Sequence, residues 1–208
     1  MPVAHHQPSR AAFFDKDGTL IVDQAYNVDP AKIQFMPGAE IALWLLHDLG
    51  YRFFVISNQS GVARGFFPEH ALMRVERRLR EMFADLNVTL DGFYYCPHYP
   101  QGVVEQYAIE CGCRKPAPGL LFRAANEHGI DLARSWVIGD ILDDIQAGKR
   151  AGCKTILLDD ENEKISTPTR TPDYRVKDLE QAAERILETE QALRSVASLN
   201  RFRNGSKE

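Results

Sequence analysis

Five short apolar runs, each separated from the next by a stretch of helical periodicity, limit what this chain can fold into. AAFFD (11–15), RFFVIS (52–57), GFYYC (92–96), SWVIG (135–139) and KTILLD (154–159) are of strand length and lack polar alternation, the pattern of strands buried on both faces. Between them, 37–50 opens at Pro37 and stops at Gly50, an expected helix entry and exit. Residues 68–86 place Leu72, Val75, Leu79, Met82, Phe83 and Leu86 on one face. Residues 117–129, 142–152 and 177–196 are further helices. DYRV (173–176) reads as a short edge strand and 160–173 as a polar loop. Strand–helix alternation needs crossover connections, so the expectation is an α/β domain with a doubly wound parallel sheet.

A chain of 208 residues fits a single domain. The expected boundaries are a disordered tail over 1–10, one domain over 11–199 and a frayed end over 200–208. His5 and His6 fall in the first tail and receive no metal role. The net charge of −4 argues against nucleic acid as a partner. The N-terminus lacks the apolar run of a signal peptide. No apolar stretch approaches the roughly 20 residues of a membrane span. A soluble, cytoplasmic monomer without a membrane partner is the expectation.

In such sheets ligands gather at the carboxyl ends of the strands, and polar residues collect there. FFDKDGTL puts Asp15 at the end of the first run, with Asp17, Gly18 and Thr19 after it. Residues two apart on extended backbone project the same way, so the two carboxylates are expected to converge. Close carboxylates need a cation, or one must hold a proton. Mg²⁺ can sit on one carboxylate and a backbone carbonyl, leaving the other as general acid and base. A solvated turn uses the same residue types. VISNQSG adds the donors Ser57, Asn58 and Ser60; CRKPAPG adds Lys115; VIGDILDD adds Asp140, Asp143 and Asp144. Singly these read as a cap, a surface lysine and aspartates at a helix start. Together they supply what attack on a phosphate monoester needs: a nucleophile, a cation site, an ammonium and oriented donors.

Cys96, His98, Cys111 and Cys113 form C-x-H…C-x-C. Three thiolates and an imidazole make a closed tetrahedral Zn²⁺ set, hence a structural rather than a catalytic site. A disulfide between Cys111 and Cys113 would be strained, and the expected compartment is reducing. The zinc loop (96–113) runs straight into Arg114 and Lys115, so metal there would fix Lys115. Cys153 stands apart and reads as a small buried apolar residue.

The order of these motifs resembles the haloacid dehalogenase (HAD) superfamily of phosphohydrolases over about residues 11 to 160. The resemblance implies a Rossmann-like core. It implies Asp15 as the nucleophile that forms an aspartyl-phosphate and Asp17 as the acid, then base. Ser57 would bind the phosphoryl group, with Asn58 beside it, and Lys115 would neutralise shared charge. Mg²⁺ would be held by Asp15, Asp140 and the carbonyl of Asp17, with Asp144 orienting Lys115. Only a short flap fits between Thr19 and Pro37, and helix, strand and zinc loop fill 57–115, so the resemblance implies a capless enzyme.

The zinc loop resembles the branch that holds heptose bisphosphate phosphatases and histidinol-phosphate phosphatases, and NQSGVARGFF is similar to the heptose enzymes. This implies a Mg²⁺-dependent phosphatase that removes the 7-phosphate of a heptose 1,7-bisphosphate. Histidinol phosphate or another small phosphomonoester is the alternative. Gln59 and Ser60 would join the substrate site, Arg64 and Arg114 would receive the second phosphate, and Asp23 and Tyr26 of VDQAY would meet sugar hydroxyls. Lys16 replaces the branch's common arginine, and Ile141 follows Asp140 where many members carry lysine. A zinc-stabilised binding module without catalysis is disfavoured, because no motif acid is missing.

Overall fold

Strand β1 (Ala11–Phe14) lies between two parallel partners, β2 (Arg52–Asn58) and β4 (Trp136–Gly139), and this position sets the architecture. The structure is a computed structural model that describes residues 9–158 and 167–204, with side chains as far as 195. β3 (Leu90–Cys96) pairs outside β2, while β5 (Lys154–Leu158) and β6 (Tyr174–Val176) extend the other side. The six strands run in the order β3-β2-β1-β4-β5-β6, all parallel. The doubly wound sheet expected from the apolar runs is present, and DYRV supplies its edge.

Both faces of the sheet are covered. Ala12, Phe14, Phe53, Val55, Trp136 and Ile138 pack beneath α1 (Ala39–Asp48), α2 (Leu72–Asp85) and α5 (Leu179–Asn204). Their neighbours Ala11, Phe13, Phe54, Ile56 and Val137 face α3 (Gly119–His128) and α4 (Leu142–Ala151). Adjacent strand residues thus enter opposite cores, which is why the runs carry no polar alternation. Each wholly buried phenylalanine contributes roughly 1.5–3 kcal/mol, so the centre of the sheet is a rigid platform for whatever its strand ends carry.

At the amino ends of the strands, Asp91 accepts from Arg52 Nε and Nη2 at 2.9 and 2.7 Å and from the Phe53 amide at 2.9 Å. Arg52 Nη1 also donates to the His128 carbonyl at 3.1 Å, tying β2, β3 and the end of α3 together. At the carboxyl ends the connections are longer. Between β1 and α1 lie a 3-10 turn at Pro30–Lys32 and the isolated bridges Asp17–Ile21 and Ile21–Phe35. No inserted cap domain is present there or between β2 and β4.

The chain joins the fold earlier than the expected boundary at Ala11. Ser9 bridges to Ile130, the Arg10 carbonyl accepts from the Arg52 amide at 3.0 Å, and Arg10 pairs with Glu190. Helix α5 continues to Asn204, into the segment expected to fray. Residues 1–8, including His5 and His6, lie outside the described residues, as do 159–166 of the polar loop and 205–208. No helix among the described residues is long and apolar enough to cross a membrane.

Candidate active site

The carboxyl end of β1 is tied to its neighbour before any side chain acts: the Asp15 amide donates to the Ile138 carbonyl at 3.0 Å. The chain then turns tightly, with the Leu20 and Ile21 amides both donating to the Lys16 carbonyl at 3.2 and 2.9 Å. Gly18 adopts φ +78°, and a Cβ there would stand 2.4 Å from Asp140 Oδ2. Glycine is needed at this point both for its left-handed backbone and for the close approach of Asp140. Thr19, wholly buried, donates from Oγ1 to Asp140 Oδ1 at 3.0 Å.

Lys115 is buried and its ammonium is surrounded. Nζ lies 2.6 Å from Asp15 Oδ1, 2.5 Å from Asp144 Oδ1 and 2.8 Å from the Ile56 carbonyl. Burial alone would lower the pKa of this ammonium, but Asp144 and Asp15 outweigh it and raise it. Burial pushes the Asp144 carboxyl up to about 7, against the pull of Lys115 and with help from Asp15. Asp140 is pushed up to about 6, first by burial and then by Asp15. Oxygens of Asp15, Asp140 and Asp144 lie within 4.8 Å of one another. A Cβ on Gly139 would fall 2.3 Å from Asp144, so a second glycine admits this carboxylate to the group. Three carboxylates against one ammonium leave excess negative charge, and an all-oxygen donor set fits a hard divalent cation such as Mg²⁺.

Asp17 is held by partners other than Lys115. Its Oδ1 accepts from Lys16 Nζ at 2.6 Å and its Oδ2 from Gln59 Nε2 at 3.3 Å. The turn closed on the Lys16 carbonyl carries Asp17, and Asp15 remains near enough to act on its charge. Asp17's pKa is raised mainly by burial; Lys16 opposes the shift, while Asp15 and Asp23 add to it. Gln59 Nε2 also donates to the buried Ser57 Oγ at 2.8 Å, linking the ends of β1 and β2. Lys16, Asp17, Asp23, Tyr26, Gln59 and Ser60 help to line a cavity of about 240 Å³. A larger groove of about 440 Å³, beside Phe35, Met36 and Met82, contains none of the strand-end acids.

Other expected substrate contacts occupy varied positions. Asn58 turns its amide to the Lys115 backbone, donating to its carbonyl at 3.1 Å and accepting from its amide at 3.0 Å. Asp23 and Tyr26 are exposed at the cavity mouth, where the Tyr26 ring meets Phe66 edge-on with centroids 4.5 Å apart. The Arg64 amide donates to the Ser60 carbonyl at 3.0 Å. Arg114 donates from Nη1 to the His98 carbonyl at 3.3 Å. Asp143 lies outside the carboxylate group and pairs with Arg170 at 3.1 Å.

Cys96, His98, Cys111 and Cys113 meet in space. The three sulfurs lie 3.2–3.5 Å apart, and His98 Nδ1 is 3.6 and 3.4 Å from Cys96 and Cys113. Tetrahedral zinc with Zn–S near 2.3 Å sets S–S edges of about 3.8 Å, so the donor number, type and spacing fit the ion with a slight expansion. Cys153 is buried apart from this group, and burial pushes its thiol up to about 12.

Two contributors escape a reading of motifs alone. Thr19 supports Asp140, and Lys16 is 1% exposed with its ammonium on Asp17. A lysine between two aspartates in FFDKDGTL is the one available signal for the second.

The family described as HAD-hydrolase-like matches residues 112–182. The D-glycero-beta-D-manno-heptose-1,7-bisphosphate 7-phosphatase of Photorhabdus laumondii is 40% identical over 157 residues, covering 76% of this chain and 84% of that protein. The enzyme of the same name from Escherichia coli K12 is 42% identical over 148 residues, covering 71% and 78%. A solved D,D-heptose 1,7-bisphosphate phosphatase from B. bronchiseptica, complexed with magnesium and phosphate, superposes with a TM-score of 0.73 at 29% identity, covering 86% of this chain and 99% of that one.

Proposed function

This chain belongs to the HAD-like phosphatases, alongside the heptose bisphosphate 7-phosphatases, and is a phosphoric monoester hydrolase; we propose that it removes the 7-phosphate of D-glycero-D-manno-heptose 1,7-bisphosphate through an aspartyl-phosphate. The ammonium of Lys115, shared between Asp15 and Asp144 beside Asp140, carries this reading. This arrangement supports a nucleophile, a cation site and a fixed positive charge close together at the carboxyl side of the sheet.

In the proposed reaction an Asp15 carboxylate oxygen attacks phosphorus. The bond to the sugar oxygen breaks, and Asp17 gives that oxygen its proton. A raised pKa suits Asp17 to the acid role. Asp17 then takes a proton from water, the water oxygen attacks the phosphoryl group, and phosphate leaves as Asp15 is regenerated. Lys115 lowers the repulsion between carboxylate and phosphate, and Ser57 with the neighbouring amides orients the phosphoryl oxygens. Mg²⁺, held by Asp15, Asp140 and the Asp17 carbonyl, would add Lewis-acid charge stabilisation. Asn58 holds Lys115 in place. Arg64 and Arg114 receive the substrate's second phosphate. Cys96, His98, Cys111 and Cys113 would hold a Zn²⁺ that ties down the loop leading into Arg114 and Lys115.

Asp15→Asn, folded and metal-loaded, is expected to lose turnover altogether; activity equal to the unaltered enzyme would remove the nucleophile assignment. Steady-state kcat/KM on heptose 1,7-bisphosphate and on histidinol phosphate tests the substrate, and faster hydrolysis of histidinol phosphate would overturn it.

A further inference from the structure

Two arginines share one aromatic ring, that of Tyr99. The Arg64 guanidinium carbon lies 3.9 Å from the centroid of Tyr99, and that of Arg114 lies 5.3 Å from the same point. Both distances fall within the roughly 6 Å reach of a cation–π contact. Tyr99 directly follows the cluster residue His98, and its own backbone is pinned: its amide donates to the Tyr107 carbonyl at 3.0 Å and its carbonyl accepts from Gly102 at 2.8 Å.

The two cations have no carboxylate partner among the described residues. The Arg64 side chain makes no hydrogen bond there either, and its Nε is buried without a partner. A long, flexible side chain with no polar anchor gets its orientation from what it stacks on. For Arg64 that surface is the ring of Tyr99. The Arg64 guanidinium held this way keeps its outer N–H groups free for a bidentate acceptor, and Arg114, with Nη1 on the His98 carbonyl, keeps Nη2.

We infer that Tyr99 is a specificity-determining positioning residue: its ring racks Arg64 and Arg114 so that both present N–H groups to the distal phosphate of a bisphosphate substrate. The inference rests on the reading that those arginines receive that phosphate. It also gives the zinc loop a second role, since the residue after His98 sets the charge that selects substrate. Holding both arginines before substrate arrives reduces the ordering cost of binding.

Tyr99→Leu should raise KM for heptose 1,7-bisphosphate about three- to thirtyfold, the range of a lost cation–π contact. Its kcat should change by no more than about twofold, because the ring does not touch the reacting atoms. Phenylalanine, 4-fluorophenylalanine and 3,4,5-trifluorophenylalanine placed at position 99 repeat the test without opening a cavity. KM for the bisphosphate should rise along that series while kcat/KM for a sugar monophosphate stays level. A flat series, or equal losses on both substrates, would overturn the inference. Arg64→Ala and Arg114→Ala separate the two levels. If they abolish the preference for bisphosphate over monophosphate and the ring series is flat, only the role of Tyr99 fails. If they leave the preference intact, the second-phosphate reading itself fails.

Discussion

Asn58 and Lys115 hold each other across 57 positions of sequence: the Asn58 amide nitrogen donates to the Lys115 carbonyl, and the Lys115 amide donates back to Asn58 Oδ1. The end of β2 thereby fixes the backbone from which the ammonium reaches Asp15. Asn58→Ala removes both bonds. At about 0.5–1.5 kcal/mol for each, denaturant unfolding should show a loss of roughly 1–3 kcal/mol. Turnover should fall more than tenfold, on the order expected when a catalytic group is misplaced, with little change in KM. Unaltered kcat would show that Lys115 is placed by its carboxylates alone.

Gly18 is the pivot between β1 and Asp140. In Gly18→Ala the new Cβ meets Asp140 Oδ2 at 2.4 Å, on backbone at φ +78°. The strain costs roughly 1–2 kcal/mol, which a fold of this size tolerates. Displacing Asp140 by about an ångström should lower kcat around a hundredfold and weaken Mg²⁺ activation. Circular dichroism should remain that of the parent, and a magnesium titration of activity measures the shift.

Removing zinc should act at a distance. The purified enzyme is expected to hold stoichiometric zinc, and Cys113→Ser to lose it. Such a loss should lower Tm by roughly 5–15 °C and reduce kcat, because the loop that carries Lys115 loosens. Zinc returned to a chelated sample should restore both, and magnesium should restore neither. Full activity in a zinc-free sample would separate the cluster from the site.

Acid stability should depend on Glu190. Burial alone would raise its pKa, but hydrogen bonds from Tyr51 Oη, at 2.9 Å, and from Arg10 outweigh burial and hold the carboxyl below its usual range. A depressed folded pKa contributes stability that is present above the ordinary glutamate value and disappears as pH falls through the folded one. Glu190→Gln should therefore lower Tm most at pH 7, with the gap to the parent closing below pH 4. Tyr51, pushed up to about 12 by burial and then by Glu190, works in the opposite sense. Its contribution is complete below the ordinary tyrosine pKa and declines as pH rises toward 12, which a melt series across the alkaline range would register.

The sheet was legible because each core strand is buried on both sides, leaving apolar runs such as RFFVIS with few alternatives. The meeting of Cys96, His98, Cys111 and Cys113 was legible from spacing, since C-x-H and C-x-C each bring two donors to one point. The hold on Asp17 was not. It depends on Lys16 Nζ and Gln59 Nε2 reaching its two oxygens, and sequence shows residue types rather than which donor finds which acceptor. Asn58 reads as a phosphate donor because a strand-end amide can be one, and only the tertiary fold shows that it also grips the Lys115 backbone. The ring of Tyr99 under Arg64 and Arg114 joins segments 35 and 15 residues away, and no local pattern records such a meeting.

The lock of Arg52, Asp91 and His128 at the amino ends of the strands shares no residue with the acids at the carboxyl ends. Durability and chemistry therefore occupy opposite rims and can be altered separately. Strengthening the lock should harden the protein against heat while leaving its catalytic rate where it was.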